Sequence, residues 1–133
     1  MRTIKFRVWD TEKKEMKECA MLRFETGQLS RVAAYWNDGE RNGWTDQEPA
    51  SGRFILEQFT GLLDSNGKEI YEGDICKTQK GNRVVRYFAP NFSLYKGMED
   101  DLETTVDCDS FSTPIAFEEV VGNIHENREL LGQ

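Results

Sequence analysis

The chain is expected to fold as a mainly β protein with minor α content, and three observations carry that expectation. Apolar residues alternate over short runs, as where Ile4, Phe6 and Val8 interleave with Lys5, Arg7 and Trp9, the period of a half-buried strand. Turn-forming Gly, Asn and Asp recur between these runs at regular spacing. No segment sustains a helical period. At 133 residues with eight Phe, four Tyr and three Trp, the chain suffices for one domain with a real core. The expected layout is a single domain over 1–133, with an N-terminal hairpin layer and loop in 1–53 and a second β region in 54–133.

The elements follow in order. After the first strand, Asp10-Thr-Glu-Lys-Lys-Glu15 makes a polar turn and Met16 starts a return strand. Met21–Phe24 and Leu29–Trp36 form a hairpin through Thr26-Gly27. Residues 37–53 are polar and Gly-rich, which predicts a loop or linker. Phe54–Phe59 is a short strand leading into the segment TGLLDSNGKEIYEGDICK, residues 60–77. Ile75–Thr78 and Val84–Phe88 flank a turn at Lys80-Gly81-Asn82, and Phe92–Lys96 follows Pro90 as a third strand. Residues 98–110 read as an acidic loop with a helical turn at Met98–Leu102. A last strand, Ala116–His125, is bulged at Gly122, and one helical turn ends the chain.

A net charge of −7 argues against a general electrostatic grip on nucleic acid. The charge is uneven, with six basic and three acidic side chains in residues 1–17 but six acids and no base in 98–110. The three cysteines, Cys19, Cys76 and Cys108, form no CxxC pair, which fits free thiols in a reducing cytosol. The N-terminus lacks a secretory apolar run, and no stretch approaches the roughly 18–20 apolar residues of a membrane helix. A cytoplasmic protein is expected.

The segment 60–77 invites chemical readings that its spacing does not support. Asp64-Ser-Asn66-Gly67 imitates an EF-hand start, but that loop needs Gly at its sixth position and an acid at its twelfth. Here Gly67 is fourth and Ile75 twelfth. Asp and Asn accept left-handed angles and bond nearby backbone, so a tight turn accounts for these residues. Glu69, Glu72 and Asp74 are an acid–base candidate set, but Gly73 bends the chain between them, and a turn feeding a strand explains them better. His125, the lone histidine, has neither a nucleophile setting nor a zinc spacing around it. No catalytic residue, metal ligand or cofactor site is expected, and no glycine pattern supports nucleotide binding.

Three blocks carry a resemblance: RTIKFRVWD near the start, QFTGLLDSNGKEIYEGDI from Gln58 to Ile75, and VVGNIHENRELL from Val120 to Leu131. Together they resemble the YopX family of phage and prophage proteins. Arg128 departs from the proline usual near the family's end. The resemblance implies an SH3-like small β-barrel around and after the central block, to which the strand reading adds an N-terminal antiparallel β-layer. It also implies carriage by temperate phages of Gram-positive and related bacteria. It supplies no catalytic residue.

Thr60, Gly61, Asp64, Asn66, Gly67, Tyr71, Gly73 and Asp74 are therefore expected to be structural. The leading functional expectation is a non-enzymatic interaction protein, self-associating and acting on a host or phage protein. Its candidate contacts are Trp44, Trp9 and Trp36, because Trp is enriched at interface hot spots. Packing is the simpler role for Trp9 and Trp36, and Trp44, in the polar stretch, is the better contact. The alternative is a single-stranded nucleic-acid-binding barrel using Lys77, Lys80, Arg83 and Arg86 beside Tyr87 and Phe88. Strand alternation places those basic residues on both faces.

Overall fold

The computed structural model describes residues 3–78, 81–88, 91–95, 109–110 and 119–132. The chain divides into two compact units, Lys5–Gln58 and Met1–Ile4 together with Phe59–Gln133.

The first unit contains β1 (Phe6–Asp10), β2 (Glu15–Glu25), β3 (Gln28–Asn37), β4 (Asn42–Gln47) and the start of β5 (Phe54–Leu63). Its strands run antiparallel in the order β4-β3-β2-β1-β5. Val8, Val32, Ala34 and Phe54 form the buried core, flanked by Cys19, Leu22, Leu29 and Leu56. The expected turn at Thr26-Gly27 is present. Both residues sit in the left-handed region, at φ 50° and 81°, as tight hairpin turns require.

Two elements differ from the sequence expectation. The polar stretch 37–53 is not simply a loop, because Asn42–Gln47 pairs with β3 from Asn37↔Asn42 to Val32↔Gln47. An edge strand with one solvated face tolerates polar residues and glycine, so composition does not reveal it. Second, Met16 and Phe24 belong to one long strand. Glu15–Glu18 of β2 pair with β1, from Asp10↔Glu15 to Arg7↔Glu18. Its remainder pairs with β3, starting at Cys19↔Ala34 and shifting register after Cys19 and after Arg23. The strand changes partners half-way along.

In the second unit, the end of β5 pairs with β6 (Glu69–Tyr71) through Phe59↔Tyr71 and Leu63↔Glu69. The excess residues bulge at Thr60–Leu62, with Gly61 at φ 88°. β5 therefore runs past Phe59, the expected end of this strand, to Leu63. A five-stranded sheet follows, built from β7 (Asp74–Thr78), β8 (Gly81–Phe88), β9 (Asn91–Tyr95), β10 (Asp109–Ser110) and β11 (Glu119–Asn123). Ile70, Cys76, Val85 and Val120 form its core. Lys80, Pro90, Lys96, the segment 96–108 with its acidic run and Cys108, and residues 111–118 lie outside the described residues.

Among the described residues the expected SH3-like small β-barrel is not formed. The strand order is β10-β9-β8-β7-β11 and the sheet is open, with β10 and β11 at its opposite ends. Closure requires the first and last strands to share a ladder at the correct tilt and stagger. β10 is two residues long and pairs with β9, while β11 pairs with β7. Short, evenly spaced strands are common to open sheets and barrels, so the sequence pattern could not separate the two.

The expected bulge at Gly122 is present, since the β11–β7 register shifts between Val120 and Gly122. A Cβ at Gly122 would lie 2.5 Å from Asn127 Oδ1. That oxygen also accepts the Asn123 amide at 3.2 Å, while the Asn127 amide donates to the Asn123 carbonyl at 2.8 Å. Gly122→Ala is expected to destabilise by roughly 1–3 kcal/mol through this overpacking. A urea melt with an unchanged midpoint would show that the turn gives way freely.

Candidate functional site

The three candidate tryptophans do not converge. Trp9 is buried on β1, Trp36 is half-buried on β3, and Trp44 on β4 is 59% exposed. Trp36 faces Gly43 across the β3–β4 ladder, and a Cβ on Gly43 would come within 3.0 Å of the indole. Gly43 thus leaves room for the Trp36 ring to lie over the neighbouring strand. Adjacent residues on a strand point to opposite faces, which puts Tyr35 and Trp44 together on the other side. Their rings meet edge to face, with centroids 6.5 Å apart and an interplanar angle of 88°, a favoured aromatic geometry. Tyr35 is itself 46% exposed. Sequence reasoning missed Tyr35, because its partnership with Trp44 depends on the Tyr35↔Trp44 register.

The central segment places its acids on backbone amides. Asp64 Oδ1 accepts from the Asn66 and Lys68 amides at 2.9 and 2.8 Å, and Gly67 takes φ 82° to complete the turn. Asp64 Oδ2 accepts from the Val120 amide at 3.0 Å, fifty-six residues away in β11. Burial pushes the Asp64 carboxyl upward, but these three amides outweigh it and hold the group below the usual carboxylate range. Asp74 is buried and accepts the Tyr71 amide at 2.8 Å. Gly73, at φ 84°, donates to the Val85 carbonyl and accepts from the Ile124 amide. Thr60 Oγ1 donates to the Ile70 carbonyl at 2.8 Å, and the Phe59 and Tyr71 rings pack 5.5 Å apart. The central block is thereby bonded directly to the C-terminal one.

The buried acid Asp10 was not anticipated. Asp10 at the end of β1 bonds Lys17 Nζ at 2.9 Å and Arg53 at 3.1 Å through both Nε and Nη2. It also accepts the Glu12 and Lys13 amides, closing the β1–β2 turn. Burial opposes its charge, but the Arg53 and Lys17 cations and the two amides depress its pKa strongly. The available signal was its position ahead of Thr-Glu-Lys-Lys, since Asp favours turns in which it bonds amides two and three residues on.

Of the basic–aromatic candidates, Arg83 is buried and Lys77 exposed. Both belong to the β7–β8 hairpin, which pairs from Ile75↔Val84 to Thr78↔Gly81. His125 follows β11 in a turn, its amide donating to Asn123 Oδ1 at 3.0 Å. The Cys19 thiol, packed against the first unit's core, is pushed up by burial, which lowers its nucleophilic fraction.

A family model described as YopX protein matches residues 5–132. The chain belongs to the YopX family. The family is phage-associated. The crystal structure of protein EF1440 from Enterococcus faecalis is similar to this YopX protein at 27% identity, with a TM-score of 0.63. The match covers 98% of this chain and 99% of that one. Comparison with curated proteins finds no match. Among the described residues of this YopX protein, no helix is long and apolar enough to cross a membrane. Two of the blocks that carry the resemblance, Gln58–Ile75 and Val120–Leu131, are joined by the Asp64–Val120 and Gly73–Ile124 hydrogen bonds.

Proposed function

We propose that this YopX-family protein is a non-enzymatic protein-interaction module acting on a host or phage protein in the bacterial cytoplasm. The observation that carries this reading is the exposed Tyr35–Trp44 pair on the edge hairpin β3–β4. Large aromatics anchor interfaces because they bury much area with few rotatable bonds. Edge strands add main-chain hydrogen bonds to an incoming partner. The engagement of Asp64 and Asp74 with backbone amides also favours a structural role for the central segment over acid–base chemistry.

Trp44→Ala tests the reading. The exposed substitution is expected to change stability by no more than about 1 kcal/mol. Tagged wild-type protein expressed in an infected host is expected to capture a partner that the variant loses. If quantitative mass spectrometry recovers the same proteins with both, the assignment to this face is wrong.

A further inference from the structure

The change of partner along β2 leaves a gap in the first unit's sheet. Glu15–Glu18 pair with β1 on one side, and the residues Tyr35–Asn37 pair with β4 on theirs. The β2–β3 ladder does not join these two segments, because it ends at Cys19↔Ala34. Two strand edges therefore diverge beyond that pair. A cavity of about 510 Å³ lies where they do, lined by Glu15, Met16, Lys17, Glu18, Tyr35 and Trp36, with Asn37 and Asn42 at its end. That volume lies within the range of sites that hold a ligand.

Strand alternation sorts the lining. Lys17 stands opposite Val8, and Cys19 opposite Ala34. Glu15, Lys17 and Trp36 therefore belong to the core-side face, while Met16, Glu18 and Tyr35 belong to the other. Each face brings one carboxylate and one aromatic ring to the same cavity. A carboxylate beside an aromatic ring favours an alkylammonium or guanidinium, which gains both ion pairing and attraction to the ring. Lys17 does not oppose a cation with a free charge, since its ammonium is bonded to buried Asp10 at 2.9 Å.

We infer that this cleft receives an extended segment of a partner protein carrying two consecutive basic residues. Consecutive side chains of an extended chain point to opposite faces, so one basic residue meets Glu15 and Trp36 while the next meets Glu18 and Tyr35. The backbone of the segment lies along the diverging edges, as in strand addition. The inference rests on the interaction-module reading and names the chemistry of its partner.

The test uses the full-length protein and three capped peptides, TVKRVT, TVKTVT and TVEEVT, followed by amide NMR and fluorescence titration. TVKRVT is expected to shift amides in 15–18 and 35–37 and to bind more tightly than TVKTVT, with TVEEVT inert. The double variant Glu15→Gln/Glu18→Gln, both exposed positions, is expected to weaken TVKRVT about three- to tenfold. Raising salt is expected to weaken it further. Equal binding of all three peptides, shifts elsewhere, or no loss in the double variant would overturn the inference. So would concentration-dependent shifts of the same amides without peptide, which would assign the cleft to a second copy. The two readings fail separately, because Glu15 and Glu18 line the cavity but belong to β2, outside the Tyr35–Trp44 pair. Partner capture lost in Trp44→Ala but kept in the double variant removes the cleft and leaves the module. Partner capture kept in Trp44→Ala but lost in the double variant does the reverse, removing the Trp44 face and leaving the cleft.

Discussion

Asp10→Ala is expected to destabilise the first unit by about 3–5 kcal/mol, the cost of removing one partner from a buried ion pair. The substitution strands the Lys17 ammonium, whose side chain is 10% exposed, and leaves Arg53, 20% exposed, with only Glu12 at 3.4 Å. It also frees the Glu12 and Lys13 amides that the carboxylate holds in the β1–β2 turn. Lys17→Ala is expected to cost less, because Asp10 retains Arg53 and both amides. Urea unfolding measures the difference, and hydrogen exchange of β1 and β2 locates it. A loss below about 1 kcal/mol for Asp10→Ala would mean that the cluster behaves as an ordinary surface pair.

Asp64→Ala is expected to cost about 3 kcal/mol in the second unit. Hydrogen bonds to a charged acceptor contribute roughly 1.5–3 kcal/mol each, but turn amides at Asn66 and Lys68 recover part of this from water. The Val120 amide, in a buried residue of β11, recovers little. Asp64→Asn is expected to fall between the two, because one amide oxygen cannot serve both the turn and Val120. Exchange of β11 amides should rise in both variants, and protection equal to wild type would sever the link between the turn and β11.

These two acids also set the acid limb of stability. Both have folded-state pKa values below the ordinary value near 4. Their contribution is therefore present above the unfolded pKa and is lost as pH falls through the folded values. Stability is expected to hold near neutrality and to decline from about pH 4 downward. Both alanine variants should show a shallower decline in urea melts recorded against pH.

Much of the strand pattern was legible in the residues themselves. The alternation around Val8, the Thr26-Gly27 turn, the Asp64-Ser-Asn-Gly67 turn and the bulge at Gly122 follow from local backbone preferences. Strand β4 was hidden because an edge strand with a solvated face can be as polar as a loop. Tyr35 was missed for a related reason, since its neighbour Trp44 lies nine residues on and meets it only through the register. The role of Asp10 depends on Arg53, forty-three residues away, which no local pattern connects to it.

That the chain is built of β-strands, and where it turns, was readable from the residues alone, because turn chemistry and side-chain alternation act over a few residues. Its family was readable from the three blocks that carry the resemblance. The tertiary structure decided that the second unit's sheet stays open and that β2 changes partners at Cys19. It also decided that Asp64 holds β11 and that Tyr35 and Trp44 share an exposed face. Each of these depends on which strand lies beside which and at what stagger, a choice made by the summed packing and hydrogen bonding of distant segments.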